Sequence, residues 1–399
     1  MFSIDISSHW SNLSMVFFII LGLYCVWTVT KMKECELRLI HKDVSLYYYM
    51  TSFVTIFAFF AVFRLITRDV GGIDAFSYKY MFEHANMSFY QRNEWFLHND
   101  ILFRYFAKFL RLFTDDYHIY FFILYGFNTF AWLLFLKEFC LKRSNYIPCI
   151  LLVFLYWVSY NTLRTSVALS VFSISLILLY REKLKWAIII AISSILIHKS
   201  LAICVLFIPF YYIFNRVKLN RFRIILLILT IIALSSSFQL FFLNSMSDIN
   251  TYDSDHYASY TRSMMGTSFW DNGWKIAFEQ MILGLMMWIF QRKIKKYQLT
   301  LKQKERRKVK FIWTLCVFDM LCIPINFVLG IWRGYEFLYL ARIVMWCTIL
   351  YLYERKRPNY LKTRIDAFAM IALIAWIIFR FWNMWESTGL MPYVFEPLV

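Results

Sequence analysis

Three short stretches put cations and hydrogen-bonding groups into an otherwise apolar chain, and their residue types suit the handling of phosphate. In FRLITRDVGGIDAFSYKY, Arg64 and Arg68 stand four residues apart, a spacing that puts both on one face of a helix. The Gly71-Gly72 pair then lets the chain turn back before Asp74 and Tyr78. In NTLRTSVAL, Asn161 precedes a helix and Arg164 falls in its first turn, where the helix dipole disfavours a cation and an anion would compensate it. In ILIHKSLAI, His198 and Lys199 interrupt an apolar stretch, so His198 is either a satisfied structural donor or a proton-transfer group. Arginine offers a planar fork of donors that fits phosphate bidentately, whereas lysine is a hydrated point charge. The plainer reading of such arginines is snorkelling, or pairing with Asp69, Glu83 or Glu94.

The elements that must position these residues are membrane helices. The chain has 399 residues, 60% hydrophobic and 17% charged, with 10 Gly and 6 Pro, which is too apolar for a soluble domain. Apolar runs matching the hydrocarbon thickness recur from end to end. They predict about twelve spans: 14–30, 48–66, 117–136, 146–160, 164–180, 186–198, 200–214, 224–242, 276–290, 311–330, 336–353 and 365–382. The fold class is therefore all-α, a single polytopic transmembrane domain over 1–399.

Basic residues set the orientation. Alternate connections (31–43, 137–143, 181–185, 215–223, 291–310 and 354–364) hold about two thirds of the 43 Lys and Arg, which makes them cytoplasmic. Both termini then lie outside. The first run follows Asp5 and His9 and precedes Lys31, Lys33 and Arg38, the reverse of a secretory signal and the pattern of a retained anchor. The formal charge of +18 reads as topology signal rather than as a nucleic-acid footprint. Cytoplasmic basic residues are mostly Lys, whereas those left outside are mostly Arg, which suits an anion site on the outer face.

Two outer connections are long. In 67–116, ILFRYFAKFLRLF repeats apolar residues at helical spacing with Arg104, Lys108 and Arg111 on the polar side, predicting an interfacial amphipathic helix. The second, 243–275, is acidic and rich in Tyr and Ser, a lid or a solvated loop. The cytoplasmic loop 291–310 reads as an anchor for anionic lipid heads. The eight cysteines contain no CxxC pair, so neither a disulfide framework nor a metal site follows from their spacing. Asp319 and Glu279 are carboxylates inside expected spans, read first as structural groups. Arg333, Tyr335, Glu336 and Arg342 surround one outer helix end and could either join an anion site or pair with one another.

In this order, the three motif stretches resemble the EpsG-like branch of the Wzy-type polysaccharide polymerases. That pattern has an Arg with Gly-x-Asp-x-x-x-Tyr, then Asn-x-x-Arg-Gln-x-x-Ala, then His followed by Lys-Ser. The chain supplies Arg64, Gly72, Asp74 and Tyr78, then Asn161, Arg164 and Ala168, then His198, Lys199 and Ser200, with Thr165 where Gln is usual. The resemblance covers the first half, to about residue 210. It implies a GT-C-like membrane glycosyltransferase of the bacterial inner membrane that polymerises O-antigen or capsule repeat units at the periplasmic face. The growing glycan would leave one undecaprenyl diphosphate and join the non-reducing end of a new lipid-linked unit. Partners would be undecaprenyl-diphosphate-linked glycans, the bilayer and a chain-length regulator, with no cofactor or metal. A departing diphosphate needs fixed positive charge, which Arg64, Arg68, Arg164, Arg333 and Arg342 could supply with Tyr78 and Asn161. The general base for the attacking hydroxyl is one of His198, Asp74 and Glu94. A ligase onto lipid A core shares this arginine logic. A repeat-unit flippase would want broken helices and charge at midplane, and a membrane O-acetyltransferase is the remaining alternative.

Overall fold

The structure is a computed structural model that describes residues 8–37, 42–67, 71–85, 101–214, 274–328 and 336–354, together with the single positions 371, 375 and 379. Every regular element longer than a turn among them is helical, and there is no strand. Four helices are long and apolar enough to cross a membrane: Val16–Glu36, Val44–Val62, Tyr117–Phe139 and Leu163–Tyr180. Ile147–Asn161, Leu184–Ile197, Lys199–Phe214 and Tyr339–Leu352 are shorter apolar helical stretches. Large apolar side chains point outward along these helices, among them Phe59, Phe122, Ile189, Ile192 and Leu196. A soluble protein would bury such stripes, and here they face lipid, so the chain is a membrane protein.

The described residues form two compact units, Met1–Lys199 with Trp346–Val399, and Ser200–Met345. The first contains α1 (Ser8–Leu37), α2 (Lys42–Val62), α3 (Ile73–Glu83), α4 (Ile101–Arg111), α5 (Tyr117–Phe139), a 3-10 segment (Ile147–Leu151), α6 (Leu152–Asn161), α7 (Leu163–Tyr180) and α8 (Leu184–Ile197). Its tightest packing joins α7 to α8, and α5 to both α2 and α7. Small and hydroxyl side chains explain the closeness. Ser170 Oγ donates to Asn128 Oδ1 (2.9 Å) between α7 and α5, and Ser175 Oγ donates to Ala187 O (2.6 Å) between α7 and α8. Aromatic rings fill the wider gaps, with Phe18 against Trp157 and Phe57 against Tyr156.

The connection 67–116 contains the expected helix α4 and also α3, which hydropathy alone did not indicate. On α4, Phe103, Ala107 and Leu110 are buried at i, i+4 and i+7, while Tyr105, Phe109, Leu112 and Phe113 near its end are exposed. The helix therefore has an apolar face turned inward, an apolar face turned outward, and Arg104 and Lys108 between them. Arg111 follows Arg104 and Lys108, at i+7 from Arg104, on the same side of the helix. It pairs with Asp115 (3.2 Å) and lies over the Phe82 ring.

Two expected spans change at proline. The run 146–160 opens as a 3-10 segment with Pro148 in its first turn. The run 200–214 is not one span but a 3-10 turn (Lys199–Leu201), α9 (Ala202–Val205) and α10 (Phe207–Phe214). Pro209 has no N–H and its ring crowds the carbonyl one turn back, at Val205, where α9 ends.

The second unit holds α9, α10, α11 (Trp274–Thr300), α12 (Gln303–Val328) and the first two turns of α13 (Tyr339–Glu354). Positions 291–310, expected as a basic loop, are almost wholly helical, with Leu301 and Lys302 alone between α11 and α12. Arg306 explains the tight reversal. Its guanidinium donates to Gln298 O (2.9 Å) and Leu299 O (3.3 Å), satisfying the last carbonyls of α11. The expected span 224–242 and nearly all of the loop 243–275 and of 365–382 lie outside the described residues; positions 274 and 275 already belong to α11.

Candidate functional site

Arg64 lies just beyond α2, which ends at Val62, so the helical face expected to join Arg64 to Arg68 does not form. Its side chain is 1% exposed. Nε donates to Gly71 O (3.0 Å), Nη2 to the Tyr125 hydroxyl (2.9 Å) and to Tyr160 O (3.2 Å), and Nη1 to Ala61 O. The guanidinium also lies over the Tyr160 ring, 4.2 Å from its centre, with the Tyr125 ring centre at 5.1 Å. Four neutral oxygens on four segments thus take its donors, and the side chain ties α2, the Gly-Gly turn, α5 and α6 together. In this arrangement Arg64 organises the site from behind. It does not present a fork to a ligand.

The turn that Arg64 holds can only be glycine. Gly71 has φ +85°, and a Cβ there would lie 2.0 Å from Leu65 O; Gly72 has φ +103°, and a Cβ there would lie 2.9 Å from Tyr160 O. The sharp reversal lets α3 begin against the end of α6. There the Asp74 N–H donates to Asn161 Oδ1 (2.8 Å), so a side chain 87 residues away in sequence satisfies an orphan donor of the first turn of α3. Gly72 itself offers no side-chain cap, which is why the cap comes from α6.

This contact joins the first two motif stretches. α6 ends at Asn161 and α7 starts at Leu163, so the N-terminal ends of α3 and α7 lie at one junction, with Asp74 in the first turn of one and Arg164 in that of the other. Helix N-termini present unsatisfied N–H groups and partial positive charge, which adds to Arg164. Tyr78 is buried, and its ring meets Phe103 edge-on at 5.6 Å, so it holds α4 on α3 rather than lining an open site.

His198, in the third stretch, caps the end of α8 with its N–H on Ser194 O (3.0 Å), and its side chain is half-buried. Its height follows from the α7–α8 hairpin. Ser175 pairs with Ala187, Arg164 lies eleven residues before the one and His198 eleven after the other, and antiparallel helices in that register return the two side chains to one level. Asp74, Asn161, Arg164 and His198 thus occupy one end of this unit. Asp116, which starts α5, accepts from the His118 N–H (2.8 Å) and from His118 Nδ1 (2.7 Å). Burial pushes its carboxyl up, but these His118 contacts outweigh that and hold it below the ordinary carboxylate range.

The EpsG family pattern matches residues 46–395, most of the chain. The chain belongs to the EpsG family. No curated protein and no solved structure matches it. For this EpsG-family chain, then, the family model reaches well past the first-half resemblance legible in the motifs. It covers the second unit as well.

Arg342, in that second unit, was a candidate for the anion site and is otherwise engaged. Its Nε donates to Asp319 Oδ2 (2.7 Å) and its Nη2 to Asp319 Oδ1 (3.2 Å), and both side chains are buried. Gln280 Nε2 also donates to Asp319 Oδ1 (2.9 Å). A bidentate pair of this kind neutralises both charges inside the helices, so Arg342 spends its fork on Asp319 rather than on a diphosphate. Arg68, Glu94 and Arg333 lie outside the described residues. Sequence reasoning missed Tyr125 and Tyr160, whose hydroxyl and carbonyl receive Arg64, because an aromatic in a membrane helix carries no mark of such a role. It also missed three cysteines, Cys140, Cys149 and Cys347, whose sulfurs all lie within 4.8 Å of one another.

Proposed function

We propose that this EpsG-family protein polymerises undecaprenyl-diphosphate-linked oligosaccharide repeat units of O-antigen or capsule at the periplasmic face of the inner membrane. The growing chain passes from its diphosphate carrier to the non-reducing end of a new unit. The observation that carries this reading, beside the family, is the Asp74 to Asn161 hydrogen bond, which brings the family's first two motifs into one junction. Arg164 and the two helix N-termini would hold the departing diphosphate, and the charge needed as that bond breaks is then fixed in place without a metal. His198 or Asp74 takes the proton from the attacking hydroxyl; Glu94 is the third candidate. Arg64 is a positioning residue that sets the Gly71-Gly72 turn and hence Asp74. A twelve-span, GT-C-like architecture with both termini outside accommodates these roles, since the apolar runs and basic connections alternate along the whole chain.

A deletion strain tests the reaction directly. Loss of the long polysaccharide ladder with a retained single-repeat band supports a polymerase. Loss of every repeat-bearing lipid A overturns it in favour of a ligase or flippase, and an unchanged ladder overturns all three in favour of a membrane O-acetyltransferase. Arg164→Ala should abolish the ladder at normal protein level, and a normal ladder in that variant removes Arg164 from the site. His198→Ala asks the same of the base.

A further inference from the structure

The three clustered cysteines come from separate parts of the first unit. Cys140 ends α5, Cys149 lies in the 3-10 segment before α6, and Cys347 lies on α13, 198 residues further along the chain. All three are 2% exposed or less. The Cys149 and Cys347 sulfurs are 3.9 Å apart, and every pair is within 4.8 Å. The backbone holds the group together: Asn145 N–H donates to Cys347 O (3.3 Å), and the Tyr146 hydroxyl donates to Leu141 O (2.8 Å).

Distances distinguish a ligand set from three packed thiols. The centre of a triangle with 3.9 Å edges lies about 2.3 Å from each corner, which is the bond length of a thiolate to a soft metal ion. The widest pair needs to close by less than an ångström, within reach of a rotamer adjustment. Thiolates select soft ions, and a site with three sulfurs suits an ion content with three ligands. No His, Asp, Glu or further Cys joins the group among the described residues. Each thiol would give up its proton on binding, leaving two surplus negative charges around a monovalent ion. Lys33 and Lys137 belong to the same end of the unit, Lys33 Nζ donating to Lys137 O (2.7 Å) one turn before Cys140, and Lys142 and Arg143 follow directly. Lys33 is already paired with Glu36 (3.1 Å), so the charge of Lys137, Lys142 and Arg143 would offset the surplus.

The geometry points to a three-thiolate site for one copper(I) ion, formed by Cys140, Cys149 and Cys347. The site is structural and separate from the proposed transferase site. From Phe121, beside Arg64, to Cys140 is 19 residues of α5 and its cap, about 28 Å of helical rise, so the two lie at opposite ends of the helix. A bound ion would clamp the end of α5, the start of α6 and α13 to one another, so that the last part of the chain is fixed to the first.

The test uses the full-length protein, purified in detergent, reduced, freed of metal and titrated with copper(I) and, in parallel, with zinc(II), each against a chromophoric chelator. One copper(I) per chain is expected, with a thiolate-to-copper ultraviolet band, a shell of three sulfurs at about 2.3 Å by X-ray absorption and a higher melting temperature than the apo-protein. Cys140→Ser, Cys149→Ser and Cys347→Ser should each weaken binding at least tenfold, while Cys204→Ser, in the other unit, leaves it unchanged. Absence of stoichiometric copper uptake, a preference for zinc, or unchanged uptake in Cys149→Ser overturns the proposal. Should a serine variant aggregate, the sulfur count around copper in the wild-type protein decides.

Discussion

Replacing Arg64 by lysine separates two roles that an arginine at a membrane surface can have. If Arg64 grips a ligand, lysine preserves its charge and part of the function; if it is a staple, lysine fails because one ammonium cannot replace a fork. Arg64 makes four hydrogen bonds to oxygens of Ala61, Gly71, Tyr125 and Tyr160. Those oxygens lie on different sides of the guanidinium, so an ammonium reaches about two of them. Two lost charge-assisted bonds at about 1.5 kcal/mol each, with about 0.5 kcal/mol from the weaker stacking on Tyr160, give a loss of about 3.5 kcal/mol. For a unit of this size that corresponds to a fall of roughly 10 °C in melting temperature. The assay is thermal unfolding of the detergent-purified protein, run beside the polysaccharide ladder. Arg64→Lys should unfold early and shorten the ladder in proportion to the folded protein that remains. A variant that melts like the wild type while losing the ladder would refute the staple and return Arg64 to the ligand.

Other variants probe the remaining contacts. Asn161→Ala removes the cap on α3 and should cost about 1 kcal/mol, whereas Asn161→Asp keeps an acceptor for Asp74 N–H and should retain most stability in the same melting assay. Arg342→Met leaves Asp319 buried without its cation and should cost about 3–5 kcal/mol, seen as loss of monodisperse protein on size exclusion, and adding Asp319→Leu should restore most of it. Gly72→Ala forces a Cβ to 2.9 Å from Tyr160 O at φ +103° and should lower both stability and ladder length. The Asp116 carboxyl is held low by His118, so its contribution is present above the ordinary carboxylate range and is lost as pH falls through its lowered value. Unfolding followed from neutral to acid pH should show that loss, and Asp116→Asn should abolish it.

What hydropathy reveals is where helices run, and what it conceals is how they end. The runs at 117–136 and 164–180 became α5 and α7 with little change, because an unbroken apolar stretch in lipid has no better way to satisfy its backbone than a helix. The run at 200–214 had the same average character but contained Pro209, and one missing N–H with one steric clash divides it. The short helix α3 was invisible for a different reason. Its residues IDAFSYKYMFE mix charge and aromatics, and it starts where it does because Gly71 and Gly72 turn the chain and Asn161 caps it.

The site shows the same division between what a residue is and what it touches. Arg64, Arg164 and Arg342 look alike in the sequence, each an arginine at the margin of an apolar run. In the fold, Arg64 meets four neutral oxygens, Arg342 meets a carboxylate, and Arg164 stands in the first turn of a helix beside a second helix N-terminus. Composition marked all three as worth a charged ligand, because a buried cation always needs compensation. For Arg64 and Arg342 the protein itself supplies those partners. Arg164, where the local dipole adds to the cation instead of opposing it, is the arginine on which the phosphate reading of this junction depends, and its level with His198 is the reason to look for the transferred proton there.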